Sequence, residues 1–140
     1  MFKVIDVNVI ISSLLKTGNT LVIFALNNIM EKYEWIAPEY LIIEIGKHTQ
    51  KIIEQSHLSL EEVTRVMIFL TKQINFISED QFKDKFGEAR TLLKGHEKDV
   101  YYLALALKFN CEIFSGDLKL KDLVPNKVNT PKELLSGFYS

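Results

Sequence analysis

Apolar positions along the chain change their period repeatedly, and each change predicts an element. Phe2-Lys3-Val4-Ile5 is a short apolar run that reads as a buried strand, and Asp6 to Asn8 lead into an apolar helical segment, Val9 to Leu15, closed by Gly18. Thr20 is placed to N-cap a second helix, Leu21 to Met30, and Glu34-Trp35-Ile36-Ala37 supplies a second strand. Pro38 suits the first turn of a third helix that runs to about Gln55. That helix carries Leu41, Ile45, His48 and Ile52 on one stripe, with Glu44 on its flank. Ser59 and Glu62 match a capping box and open a fourth helix with Val63, Val66, Met67 and Leu70 inward.

Ile74 to Ile77 is the third strand of the pattern, and Glu79 to Lys94 predicts one helix, ended by Gly95 as a left-handed C-cap. A helix from Glu97 places Val100, Leu103, Ala104 and Leu107 inward, and Glu112-Ile113-Phe114 is a fourth strand. Ser115-Gly116-Asp117 follows at once, then a short helix to Leu123, an extended stretch at Lys127 to Asn129 and a last helix after Pro131. Strands alternating with helices imply a parallel sheet covered on both faces. The expected fold is therefore a three-layer α/β/α sandwich with four to five strands, formed as one domain over residues 1–140. In such sheets ligands bind beyond the carboxyl ends of the strands, which gives weight to Asp6 and Asp117, each directly after a strand.

Composition narrows this picture. A chain of 140 residues that is 47% hydrophobic can bury a sizeable core unaided, and 17 Lys plus Arg against 18 Asp plus Glu gives no global basic field. Any contact with nucleic acid must be local. Cys111 is the one cysteine, which excludes an intramolecular disulfide and a cysteine-rich zinc site and leaves a small buried hydrophobe as its role. No apolar run approaches the roughly 20 residues of a membrane span, so the expected location is the cytoplasm.

The acids carry the candidate chemistry. Taken singly, Asp6 reads equally as an Asx-turn or helix N-cap, Glu44 as a helix-flank glutamate reaching solvent, and Asp99 as an acid favoured by the dipole at its helix start. Taken together with Asp117 they form a set that would need a counter-charge. Two carboxylates about 5 Å apart repel by roughly 3 kcal/mol at an effective dielectric of about 20. Hard oxygen ligands without thiolates suit Mg2+ or Mn2+, which bind through a few carboxylates plus substrate phosphate. Such an ion neutralises a phosphodiester, lowers the pKa of a bound water and stabilises the leaving oxygen.

Other side chains attach to this set. His48 lies one turn after Glu44 and is placed either to hydrogen-bond a ligand carboxylate or phosphate or to sit at the core edge. Lys47 and Lys51 project from the same helix, as backbone contacts to RNA or as a solvated face. Asn8 and Ser115 are candidates to position a water or a carboxylate, with turn formation an equal explanation. Tyr101, Tyr102 and Phe109 read as core or dimer contacts rather than a base-stacking platform.

In order and spacing these fragments resemble the PIN domain, a nuclease family with an α/β/α fold and a cluster of acids. Val4 to Ser12 resembles its opening strand and helix with Asp6 as first acid and Asn8 two positions on. Glu44, in Tyr40 to Ile45, resembles the second acid, Asp99, in Glu97 to Ala106, the third, and Phe114-Ser115-Gly116-Asp117 the strand-four motif with the fourth. The resemblance implies Asp6, Glu44, Asp99 and Asp117 as metal ligands and catalytic acids of a metal-dependent ribonuclease. It also implies a toxin of a toxin–antitoxin pair, with RNA as substrate, a protein antitoxin as partner and a homodimer as assembly. Lys119 stands where many members carry a further acid, and Asp122 lies beyond it. Two other readings fit parts of the pattern: a phosphatase resembling the haloacid dehalogenases, with Asp6 as nucleophile, and a non-catalytic PIN-like module that binds a partner.

Overall fold

In the computed structural model, which describes residues 1–15 and 19–139, five strands make one parallel sheet in the order β3-β2-β1-β4-β5. The elements are β1 (Phe2–Ile5), α1 (Val7–Leu15), α2 (Asn19–Met30), β2 (Glu34–Pro38), α3 (Tyr40–Ser56), α4 (Leu60–Thr71) and β3 (Ile74–Ile77). They continue with α5 (Phe86–Leu93), α6 (Val100–Phe109), β4 (Glu112–Phe114), α7 (Leu118–Leu123), β5 (Val128–Asn129) and α8 (Pro131–Gly137). Val4, Ile5, Ala37, Ile113 and Phe114 are fully buried, as strands covered on both faces must be.

Right-handed crossovers fix the layers. The chain steps from β1 to β2 to β3 in one direction and from β3 back to β4 and β5 in the other, so the two sets of connecting helices cover opposite faces of an α/β/α sandwich. Packing agrees: α6 lies against β1, β2 and β4 with α5 beside it, while α1 packs on α2 and α3, and α2 on α8. The direction reverses between β1 and β4, whose registers pair Ile5 with Phe114. The carboxyl ends of these two strands are the switch point at which such sheets open a crevice.

Several elements differ from the pattern-based expectation. Helix α1 starts at Val7, immediately after Asp6, rather than at Val9. Gly18 lies outside the described residues, and Thr20 sits inside α2 rather than at its cap. Pro38 ends β2 instead of opening α3: it pairs with Ile77 beyond Ile36, the last β2 residue paired with β1, where no β1 partner requires its missing N–H. The span Glu79–Lys94 is not one helix. Two 3-10 turns, Glu79–Gln81 and Lys83–Lys85, precede α5, because Phe82 leaves helical geometry (φ −136°) and buries its ring. The left-handed cap begins one residue early, at Lys94 (φ 52°), with Gly95 continuing it at φ 93°. A 3-10 turn, Glu97–Asp99, precedes α6, which buries Tyr102, Leu105 and Ala106 besides the predicted Val100, Leu103 and Ala104; Leu107 is half-buried. The Ser59–Glu62 capping box is present.

Lys3 is buried on β1, where its ammonium pairs with Glu112 of β4 and donates to Asn129 Oδ1 of β5 at 2.6 Å. Three strands are thereby tied together across the sheet. Cys111 is half-buried and burial pushes its thiol up to about 11, so it packs rather than reacts. Among the described residues no single helix is long and apolar enough to cross a membrane.

Candidate active site

Asp6 follows β1 directly, so the pairing of Ile5 with Phe114 carries its carboxylate to the loop after β4. There Ser115 Oγ donates to Asp6 Oδ2 at 2.7 Å and accepts from Asn8 Nδ2 at 3.2 Å and from the Asp117 N–H at 3.0 Å. Asn8 Oδ1 accepts the Gly116 N–H at 3.1 Å, completing a clasp between the two loops. The Asn8 backbone N–H also bonds the Asp6 carboxylate, so the turn role read for Asp6 is real and coexists with its place in the crevice.

The other acids arrive from separate elements. Glu44, one turn into α3, accepts a hydrogen bond from the Tyr102 hydroxyl of α6. Asp99 ends its 3-10 turn at the start of α6, where the dipole favours an acid, and is buried without a side-chain cap hydrogen bond. Asp117 does cap α7, with Oδ1 accepting from the N–H groups of Lys119 (2.9 Å) and Leu120 (3.3 Å). All four acids line one pocket of ≈ 320 Å³, together with Asn8, His48, Lys98 and Tyr102.

Burial and mutual repulsion set the electrostatics. Desolvation pushes Asp6 up to about 7, with Asp99 and Glu44 adding to the rise and the Ser115 and Asn8 hydrogen bonds opposing it. Asp99 is raised as well, by burial first and then by the charges of Asp117 and Glu44, against the pull of Lys98 and His96. Tyr102 is raised by burial and by the carboxylate it serves, and stays a donor. Four hard oxygen donors that destabilise one another suit a divalent cation by chemistry. Among the described residues, however, no three His, Cys, Asp or Glu side chains are grouped closely enough to hold one as they stand. Asp6, Glu44 and Asp117 each have one oxygen engaged by a protein donor, which orients the carboxylate while its second oxygen remains for a cation.

A family model described as a PIN domain matches residues 4–132. The chain belongs to the PIN domain family. No curated protein matches it in sequence. Its fold is similar to that in the crystal structure of VapBC2 from Rickettsia felis bound to a DNA fragment from their promoter, with a TM-score of 0.69 over 93% of this chain and 98% of that one, at 13% identity.

Within this PIN domain His48 borders the pocket, whereas Lys47 does not: it lies exposed on α3 with its ammonium 5.6 Å from the Tyr40 ring centre. Lys51, Lys119 and Asp122 also lie outside the pocket lining. Membership in the PIN family sets aside the phosphatase reading, and Asn8 explains why physically, since both ends of its carboxamide are spent on the loop clasp. Pattern reasoning missed Lys98 and Tyr102. Tyr102 lies three residues after Asp99 on one helical face, a spacing that carries the signal. Lys98 precedes Asp99 and has no such mark.

Proposed function

We propose that this PIN-domain chain is a metal-dependent ribonuclease whose Asp6, Glu44, Asp99 and Asp117 would hold Mg2+ or Mn2+. One observation carries the reading: four acids from distant parts of the chain line one pocket at the switch point of a parallel sheet. Bound there, the ion would supply the positive charge that neutralises a phosphodiester and makes a water acidic enough to attack. The chain's own groups prepare that step. Ser115 and Asn8 fix the rotamer of Asp6, Tyr102 orients Glu44, and Lys98 and His48 at the pocket wall are placed to meet phosphate oxygens.

The fold similarity to VapBC2 supports a protein antitoxin as partner; with it we propose a toxin of a toxin–antitoxin pair, assembled as a homodimer in the cytoplasm. Exposed Ile42, Ile43, Leu60 and Ile68 on α3 and α4 are apolar surface of the kind a protein partner covers.

Purified protein incubated with single-stranded RNA and with a phosphomonoester, each with Mn2+, Mg2+ or chelator, tests the reading. Metal-dependent RNA cleavage lost in Asp6→Asn supports it. Silence on RNA with every metal would leave a non-catalytic partner-binding module.

A further inference from the structure

The crevice end of the sheet carries an aromatic pair beside the acids. Tyr40 opens α3 one residue after β2, and the Glu39 N–H between them bonds the Ile77 carbonyl at the end of β3 at 3.1 Å. Tyr40 thus stands at the carboxyl ends of the strands, as the acids do. Its ring stacks on that of Tyr101 from α6, with centroids 4.3 Å apart and planes 15° from parallel. The same two helices hold the contact between Glu44 and Tyr102. Tyr40 precedes Glu44 by one helical turn, a rise of about 6 Å, and Tyr101 adjoins Tyr102, which puts the pair within a nucleotide's reach of the acid pocket.

Stacked rings are commonly core, but this pair is half-buried and closed on one side only. Behind Tyr101 stands Phe86, edge to face at 5.3 Å, and over Phe86 lies Arg90 at 5.5 Å, itself held by Glu97. At the other end Lys47 Nζ lies over the Tyr40 ring at 5.6 Å from its centre. Because Tyr101 fills one face of that ring, the ammonium occupies the other. Lys47 is exposed and, among the described residues, pairs with no carboxylate, so this face has only a mobile cation on it. Beside the pair a recess of ≈ 250 Å³ is lined by Glu39, Tyr40, Ile43, Glu79, Phe82 and Tyr101. Its charged residues are acids, which repel phosphate and accept N–H groups, so a nucleotide bound here turns its base and not its backbone to this side.

We propose that Tyr40 is the stacking platform for a base of single-stranded RNA whose neighbouring phosphate enters the acid pocket, with Lys47 leaving the ring to meet the backbone. This subsite presupposes the nuclease reading of that pocket and specifies which part of the substrate is held beside it. Unpaired bases stack on aromatic side chains whatever their identity, and a stacked base contributes more than an exposed cation over the same ring. Tyr101, expected from its spacing to be a core or dimer contact, backs the platform from within.

Fluorescence anisotropy of the full chain with a short labelled single-stranded RNA, and with a strand of equal length lacking its bases, tests the subsite. Ca2+ replaces Mg2+ and Mn2+, so that binding is read whether or not the chain cleaves. Tyr40→Ala should weaken RNA binding about 10-fold and leave the base-free strand unchanged, whereas Tyr40→Phe, which keeps the ring, should retain the RNA affinity. Lys47→Ala should weaken both strands alike and reduce the slope of log affinity against log salt by about 0.7. An equal loss on both strands in Tyr40→Ala would make the residue structural, and an unchanged RNA affinity would leave no base on its ring; either overturns the subsite, as does a parent chain that binds neither strand. RNA bound in this Tyr40-dependent way but not cleaved with Mn2+ or Mg2+ would sink the nuclease reading while upholding the base subsite.

Discussion

At the scale of single residues, the site is a set of carboxylates held by neutral donors. Asp6 is the most heavily burdened, since its pKa rises from 3.8 to about 7 on burial. Below about pH 4 the folded and unfolded chains both carry its proton; between there and pH 7 only the folded chain does, so stability is lost as the pH rises. Asp6→Asn in chelator should remove this dependence, leaving stability near pH 4 unchanged and raising it at pH 8 by up to about 4 kcal/mol. Urea denaturation at the two pH values reads the difference, and a variant less stable than the parent at pH 8 contradicts it. Ser115 acts in the opposite sense, because its hydroxyl joins Asp6, Asn8 and the Asp117 N–H. Ser115→Ala should cost about 2–3 kcal/mol in the same measurement, as buried partners lose their shared bond. Tyr102→Phe keeps the packed ring but frees Glu44, and RNA cleavage should fall about 10-fold with the melting temperature nearly unchanged. A matched loss of stability and activity would instead make Tyr102 merely structural.

At the scale of elements, legibility followed how far each boundary depended on neighbours. The capping box at Ser59 and Glu62 is local chemistry, readable because both partners lie within one turn. Ser59→Ala should therefore lower stability by about 1 kcal/mol in thermal or chemical denaturation, with the site undisturbed. The four strands with apolar runs were legible for a similar reason. Phe82 was not, because its removal from helical geometry answers to a cavity in the tertiary core rather than to its sequence neighbours. Pro38 misled as well: whether a missing N–H is tolerated in a strand depends on where the adjacent strand stops pairing. Asp6, Asp99 and Asp117 stood out because they follow strands or sit at a helix start, and Glu44 because it flanks an apolar stripe; the structure brings all four to one pocket. Tyr102 was read as core, correctly as to burial, but its hydroxyl is assigned only once α3 lies against α6.

At the scale of the whole molecule, the sheet order decides which acids can meet. The acids come from opposite sides of the sheet's reversal, and a divalent ion drawing them together would stabilise the native state alone. Mn2+ at about 100 times its dissociation constant should add roughly 2.7 kcal/mol, read as a melting-temperature rise that chelator reverses. Asp99→Asn should reduce that rise, and an unchanged rise would place the ion elsewhere. The position of β1 in the centre of the sheet has one more consequence. Its two neighbours are distant in sequence to different degrees, β2 starting at Glu34 and β4 only at Glu112, with Ser115 and Asp117 later still. Asp6 therefore meets Ser115 only when a span of 109 residues has closed. Because the entropy of closing so long a loop is lost before any contact offsets it, the pocket is expected to assemble late in folding.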